Sequence, residues 1–156
     1  MPKLSAGLLA YRRRAGSELE VLLVHPGGPF WKHRDSHAWS VPKGEYDEGG
    51  DPEETARREF HEELGIDPPQ GACLDLGSVR QSSGKQVRVW AVDGSDLVLD
   101  VPQSNEFEME WPPKSGRVQR FPEVDRAEWM DIDTARERVV QAQAAFFDRL
   151  AAALGD

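Results

Sequence analysis

The chain has 156 residues, 38% of them hydrophobic and 30% charged, which suits a globular domain with a real hydrophobic core. Its 28 acidic and 19 basic residues leave a formal net charge of −9, which argues against a nucleic-acid duplex or an anionic membrane as partner unless basic residues cluster. Cys73 is the only cysteine, which excludes an intrachain disulfide and a cysteine-based zinc site, and no apolar run approaches the ~20 residues of a membrane span.

In MPKLSAGLLAYRRR the basic cluster follows the apolar stretch, whereas a secretory signal places its basic residues first. The expected compartment is therefore the reducing cytoplasm. No repeat or low-complexity linker divides the sequence, so residues 1–156 are expected to form one domain. Ser5–Tyr11 and Leu19–His25 read as strands joined by a turn around Ala15–Gly16, and the glycine- and proline-punctuated segment Pro26–His37 reads as a loop. Trp39–Val41 is expected to be a short strand running into Pro42-Lys43-Gly44, followed by an acidic loop over Glu45–Asp51.

A helix is predicted from Pro52 to Leu64, with Asp51 as its cap, proline at its first position and Gly65 as its stop. Ala56, Phe60 and Leu64 recur every four residues and give it one apolar stripe. Leu74–Gln81 and Gln86–Val92 read as a hairpin around Ser82-Ser83-Gly84. Asn105–Trp111 alternates as a strand, with Phe107, Met109 and Trp111 opposite Glu106, Glu108 and Glu110, until Pro112–Gly116 breaks it. A short strand near Trp129 precedes a second helix from about Ile132 to Leu154, with Ile132, Ala135, Val139, Ala142, Phe146 and Leu150 as its buried stripe. Strands with two well-separated helices predict an α/β layer architecture.

The segment Arg57–Ile66, RREFHEELGI, carries the chemistry. At ~100° per residue Glu59, Glu62 and Glu63 share one arc of the first helix, at the edge of its packed stripe. Three like charges at that spacing repel one another, and Arg57, Arg58 or a hard cation such as Mg²⁺ would offset the repulsion. On their own, the glutamates are better read as an ordinary solvated helix face.

The surrounding residues change that reading. From Gly44 to Ile66 the sequence resembles the 23-residue Nudix box, G-x5-E-x7-R-E-U-x-E-E-x-G-U with U a bulky apolar residue, and Gly44, Arg58, Glu59, Glu62, Glu63, Gly65 and Ile66 stand in their expected places. The approach WSVPKG, Trp39–Gly44, is also similar to that of many family members. Two positions depart: Gly50 stands where the family has its first glutamate, and Phe60 stands where Leu, Ile or Val is commoner.

The resemblance implies a Nudix fold, a mixed β-sheet sandwiched between α-helices with a loop–helix–loop metal site. It also implies metal-dependent hydrolysis of a pyrophosphate linkage in a nucleotide-like small molecule. By position, Glu59, Glu62 and Glu63 would hold Mg²⁺ or Mn²⁺, with the Gly44 carbonyl as a further ligand. Arg58 would orient a helix carboxylate, and Glu59 is the first candidate for general base. Pro122-Glu123, before Trp129 in FPEVDRAEW, is similar to the corresponding segment of the diadenosine-polyphosphate and RNA 5′-pyrophosphate branches. Glu123 is thereby a candidate fourth ligand or base, with Glu108 as a rival. Lys43 is a candidate for reaching a substrate phosphate. Tyr46 is a candidate for stacking on a base, as are Trp31, Trp39 and Trp111. The same resemblance admits a Nudix-fold nucleotide-binding or sensor module with weakened catalysis, of which Gly50 would be the mark.

Overall fold

The computed structural model describes residues 3–14, 18–99 and 101–155. The predicted turn at Ala15–Gly16 lies outside the described residues. Among these residues lie eight strands, β1 (Leu4–Arg13), β2 (Leu19–Pro26), β3 (Lys43–Tyr46), β4 (Leu74–Arg80), β5 (Gln86–Asp93), β6 (Glu106–Glu110), β7 (Val118–Pro122) and β8 (Val124–Asp131), with helix α1 (Pro52–Leu64) between β3 and β4 and helices α2 (Ile132–Arg138) and α3 (Ala145–Ala153) after β8. A 3₁₀ turn over Gln141–Ala144 precedes α3.

The main sheet has the order β4-β5-β1-β2-β8. β1 lies parallel to β5 along one edge, while its other edge is shared by two antiparallel partners. Leu4–Gly7 pairs with β3 and Tyr11–Arg13 pairs with β2. Between these partners, Leu8 N donates to Pro42 O at 3.1 Å. This fork brings the start of β3, and with it Gly44, onto the centre of the sheet. A strand paired and covered on both sides must be apolar almost throughout, and β1 is.

Alternation along the strands divides the core between two faces. Ala6, Leu8, Ala10, Leu22, Val24, Trp90, Val92 and Val124 pack against Ala56, Phe60 and Leu64 of α1. Leu9, Val21, Leu23, Val87, Val89 and Ala91 pack on the opposite side with Ala135, Val139, Phe146, Phe147 and Leu150. The result is a mixed sheet between helices, as the resemblance implied.

Four local expectations are corrected. Trp39–Val41 is not a strand: the segment makes only isolated bridges, Val24 with Ser40 and Trp39 with Val139, and the ladder begins beyond Pro42, at Lys43. Proline has no N–H to give to a ladder, so the register restarts after it. By the same shift, Glu45 and Tyr46 belong to β3 and not to a loop.

The second helix is not continuous either. Val139 and Val140 are extended, and Val140 N donates to Trp39 O at 2.8 Å instead of continuing the helix. The break slips the phase of the stripe, so that Gln143 is fully buried where an unbroken helix would bury Ala142. Its amide accepts from Val41 N at 3.0 Å and donates to Ser40 Oγ at 3.0 Å and Gln81 Oε1 at 2.9 Å.

Finally, β7 has no counterpart in the sequence reading, and β8 is longer than the short strand expected near Trp129. β6 and β7 form a two-stranded sheet of their own, Phe107 opposite Phe121 and Met109 opposite Gln119.

Candidate active site

Helix α1 is fixed at both ends by its own sequence. Asp51 Oδ1 accepts from Glu53 N at 3.0 Å and Glu54 N at 3.3 Å, and Pro52 occupies the first turn, where its missing N–H costs nothing. At the far end Gly65 takes the left-handed φ of 73° that lets its N–H close onto His61 O at 2.8 Å. With Ala56, Phe60 and Leu64 locked into the core, the rotation of the helix is set. Glu59, Glu62 and Glu63 are therefore held along the flank of α1 that meets β3.

The contact with β3 is tight. A methyl group on Gly44 would overlap the carboxyl carbon of Glu59, so that carboxylate lies directly on the Gly44 backbone, and only glycine leaves it room. One residue earlier, Lys43 N donates to Glu63 Oε2 at 3.1 Å. Arg58 reaches Glu59 Oε1 at 3.8 Å and Glu62 Oε1 at 3.7 Å, which places one guanidinium against two of the carboxylates.

Glu123 arrives from the other end of the chain. Asn105 N donates to Glu62 O at 3.3 Å, and its carbonyl accepts from Glu123 N at 2.8 Å. Gly27 N donates to Glu123 O at 2.9 Å. These backbone bonds hold the corner between β7 and β8 beside α1. The charge of Glu123 is felt by both Glu59 and Glu63. Asn105 is a positioning residue that the sequence reading missed, since a backbone bond leaves no mark on residue type. Glu108 does not join this group, because its carboxylate pairs with Arg120 across the β6–β7 ladder at 3.2 Å.

Burial raises the proton affinity of Glu59 and Glu63. Burial, then the charge of Glu62, pushes the Glu59 carboxyl up, and Arg58 opposes the shift. Burial pushes Glu63 up to about 8, against the pull of the Lys43 ammonium. Lys43 itself is held below the usual lysine range, first by burial and then by Lys85, while Glu63, Glu45 and Glu59 act the other way.

Among the aromatic candidates, Trp39 is fully buried, its Nε1 donating to Asp35 Oδ1 at 3.1 Å and its ring edge-on to His25. It is a core residue and cannot stack on a ligand. Tyr46 is half-buried against the α1-side core and lines a cavity of about 310 Å³ together with Gly50 and Arg58. Trp31 is 39% exposed, and Trp111 meets Phe30 edge-on at 5.5 Å.

The NUDIX domain family model matches residues 1–150. This chain belongs to the Nudix family. It is 30% identical over 114 residues to the asymmetrical bis(5′-nucleosyl)-tetraphosphatase of Mus musculus, covering 67% of this chain and 74% of the mouse one. It is 28% identical over 172 residues to the RNA pyrophosphohydrolase of Rhodospirillum rubrum, covering 98% and 92%. A stretch of 49 residues is 43% identical to the RNA pyrophosphohydrolase of Pseudoalteromonas translucida, spanning 31% of this chain and 28% of that one. Among solved structures, the C. elegans Ap4A hydrolase in its binary complex superposes with a TM-score of 0.65 at 24% identity, covering 98% of each chain. At that identity the likeness is one of fold. The chain is accordingly a Nudix hydrolase, of a family that generally uses divalent cations, and no helix among its described residues is long and apolar enough to cross a membrane.

Proposed function

We propose that this Nudix hydrolase cuts the pyrophosphate linkage of a small nucleotide, with Glu59, Glu62, Glu63 and Glu123 as ligands of one or more Mg²⁺ or Mn²⁺ ions. The observation that carries the reading is the packing of Glu59 on Gly44 beside Glu63 on Lys43 N, with Glu62 on the same helix arc and Glu123 on a corner tied to that helix through Asn105 and felt electrostatically by Glu59 and Glu63. As placed, no three His, Cys, Asp or Glu side chains among the described residues form a closed ligand cage. The chemistry of the donors nevertheless fits the ion. All are hard oxygens, the Gly44 carbonyl adds a neutral one, and small side-chain rotations bring neighbouring helix positions together.

A divalent cation bound there neutralises the pyrophosphate and lowers the pKa of water. The residues of the chain do the rest. Glu59, packed on Gly44, takes the proton from the water that attacks phosphorus as the P–O anhydride bond breaks. Its raised proton affinity makes it a stronger base than an ordinary carboxylate. Arg58 holds Glu59 and Glu62 in orientation, so its loss acts through the carboxylates. Lys43 supplies a positive charge to a substrate phosphate, and Tyr46 contacts the substrate from the Gly50 side of α1. The relatives named for tetraphosphates and RNA ends favour a dinucleoside polyphosphate or nucleoside triphosphate, met in the cytoplasm.

The test is a nucleotide panel assayed by chromatography with and without Mg²⁺. Cation-dependent release of two phosphorylated products supports the proposal. Tight nucleotide binding without turnover on the whole panel overturns it in favour of a sensor.

A further inference from the structure

Residues 103–105, just before β6, form a short strap that touches two parts of the candidate site at once. A helix leaves its last four carbonyls without donors of its own. The strap meets two of them: Gln103 N donates to Leu64 O at 3.5 Å, and Asn105 N donates to Glu62 O at 3.3 Å. The approach is close, since a methyl group on Gly65 would lie 3.0 Å from Gln103 Cβ and 3.1 Å from Gln103 O.

Between those two residues, Ser104 turns to β8. Its Oγ accepts from Val124 N at 3.0 Å and can give its one proton to Val124 O at 3.2 Å or to Asn105 O at 3.0 Å. Val124 is 2% exposed, so its backbone groups need partners from the protein. Pairing with β2 offers little at this point. The register partner of Val124 is Pro26, which has no N–H to give, and the ladder is irregular between His25 and Pro26. The residues on either side of Val124 are held from other directions. Glu123 N donates to Asn105 O at 2.8 Å, Gly27 N donates to Glu123 O at 2.9 Å, and His25 Nδ1 lies 2.8 Å from Asp125 Oδ1. The corner that carries Glu123 is thus gripped by backbone bonds on β2 and the strap, and by one hydroxyl that spans the strap and β8.

We infer that Ser104 is a positioning residue: its hydroxyl fixes the corner so that the Glu123 carboxylate stays within reach of Glu59 and Glu63 for a shared divalent cation. The inference rests on the metal-dependent reading above and adds to it a residue outside the Gly44–Ile66 box. Carboxylates that repel one another separate unless their backbones are held, and a partner that holds a ligand in place is worth about 10–100-fold in metal affinity.

Mn²⁺ binding to the substrate-free protein, followed by electron paramagnetic resonance of the free ion, tests this apart from turnover. Ser104→Ala is expected to weaken Mn²⁺ binding by about tenfold and to lower kcat more than it alters KM, and Ser104→Thr, which keeps the hydroxyl, to restore most of both. The decisive comparison is made in a Glu123→Gln background. Because Ser104 acts through Glu123, adding Ser104→Ala there should change the Mn²⁺ affinity by less than about twofold, whereas a merely structural role would subtract the same amount in either background. Should Ser104→Ala fail to fold, Ser104→Cys keeps the bulk with a weaker donor and acceptor, and an intermediate loss of affinity is expected. Parental Mn²⁺ affinity in the folded Ser104 variant, or an equal loss with and without Glu123, would overturn the assignment of Ser104 alone. A parent protein that binds no Mn²⁺ would instead sink the metal reading, and this inference with it.

Discussion

Glu63 is the residue on which a proposed metal ligand, a retained proton and a backbone bond coincide. Its carboxylate accepts from Lys43 N, and burial lifts its proton affinity from the ordinary 4.5 to about 8. A carboxyl shifted upward keeps a proton in the fold at a pH where the unfolded chain has already lost it. The metal-free protein must therefore lose stability as pH rises through the window from about 4.5 to about 8. Urea denaturation in a chelator at several pH values across that window should show this decline, and Glu63→Gln should flatten it. A decline of equal slope in the variant would assign the effect to another group. The same substitution removes a proposed ligand, and turnover should fall by about 10²–10⁴-fold while the circular dichroism spectrum is kept. Near-normal rates under saturating Mg²⁺ would remove Glu63 from the site. Gly50 is expected to behave differently. A Cβ there meets Asp47 O at 3.1 Å, which needs a shift of only a few tenths of an ångström, and the new carboxylate of Gly50→Glu would enter the cavity that Arg58 lines. Activity should change by less than about tenfold, under ~1.4 kcal/mol of transition-state stabilisation, because the proposed carboxylate ligands are untouched. A larger gain would identify Gly50 as a defect in the natural enzyme.

At the scale of elements, what could be read in advance was whatever is encoded locally. Helix α1 announces itself by a cap, a first-turn proline, an apolar stripe and a terminal glycine, and its bounds and buried face are those expected from Asp51, Pro52, Phe60 and Gly65. The placement of Glu59 against Gly44 follows from the box spacing once the helix and β3 are packed. Non-local pairing was invisible. The segment around Trp39 looks like a strand but spends its hydrogen bonds on Val24, Arg138 and Val140, far apart in sequence. The same contacts break the C-terminal helix and send Gln143, a polar residue no hydrophobic stripe would select, into the core. Strand β7, VQRFP, has only weak alternation and forms because β6 lies beside it. Gln143 supplies a test of this account. Gln143→Leu keeps the bulk but leaves Val41 N without its acceptor, at a cost of about 1–3 kcal/mol for that buried group, while Ser40 Oγ keeps its bond to Val41 O. Chemical denaturation should show a loss of that order, together with reduced activity, because Val41 leads directly into Lys43 and Gly44. Stability equal to that of the parent would mean that water replaces the amide and that the WSVPKG segment is held by its other contacts.

For the molecule as a whole, the acidic excess and the site are two aspects of one electrostatic arrangement. The chain carries a net charge of −9, and α1 packs Glu59 on Gly44 and Glu63 on Lys43 N, within electrostatic reach of Glu62 and Glu123. The folded state therefore holds repulsion that the unfolded chain relaxes, and a ligand that binds the folded cluster alone adds stability in proportion to RT ln(1 + [L]/Kd). Binding must also expel the proton that burial keeps near Glu63, so the affinity for Mg²⁺ should weaken as pH falls below about 8. Thermal melts at fixed ionic strength separate this from general screening, which acts on the whole negative surface and does not require the cluster. At pH 8, Mg²⁺ should raise Tm by several degrees with saturation, about 1–3 kcal/mol over a range of up to a hundred times Kd, whereas the same ionic strength of NaCl should do much less. At pH 6 the midpoint should move to higher Mg²⁺ concentration. In Glu62→Gln/Glu63→Gln the magnesium response should shrink to that of NaCl, even though removing negative charge raises the starting Tm. A magnesium-dependent rise that survived this double substitution would place the cation elsewhere on the acidic surface and leave the α1 carboxylates without the partner their crowding calls for.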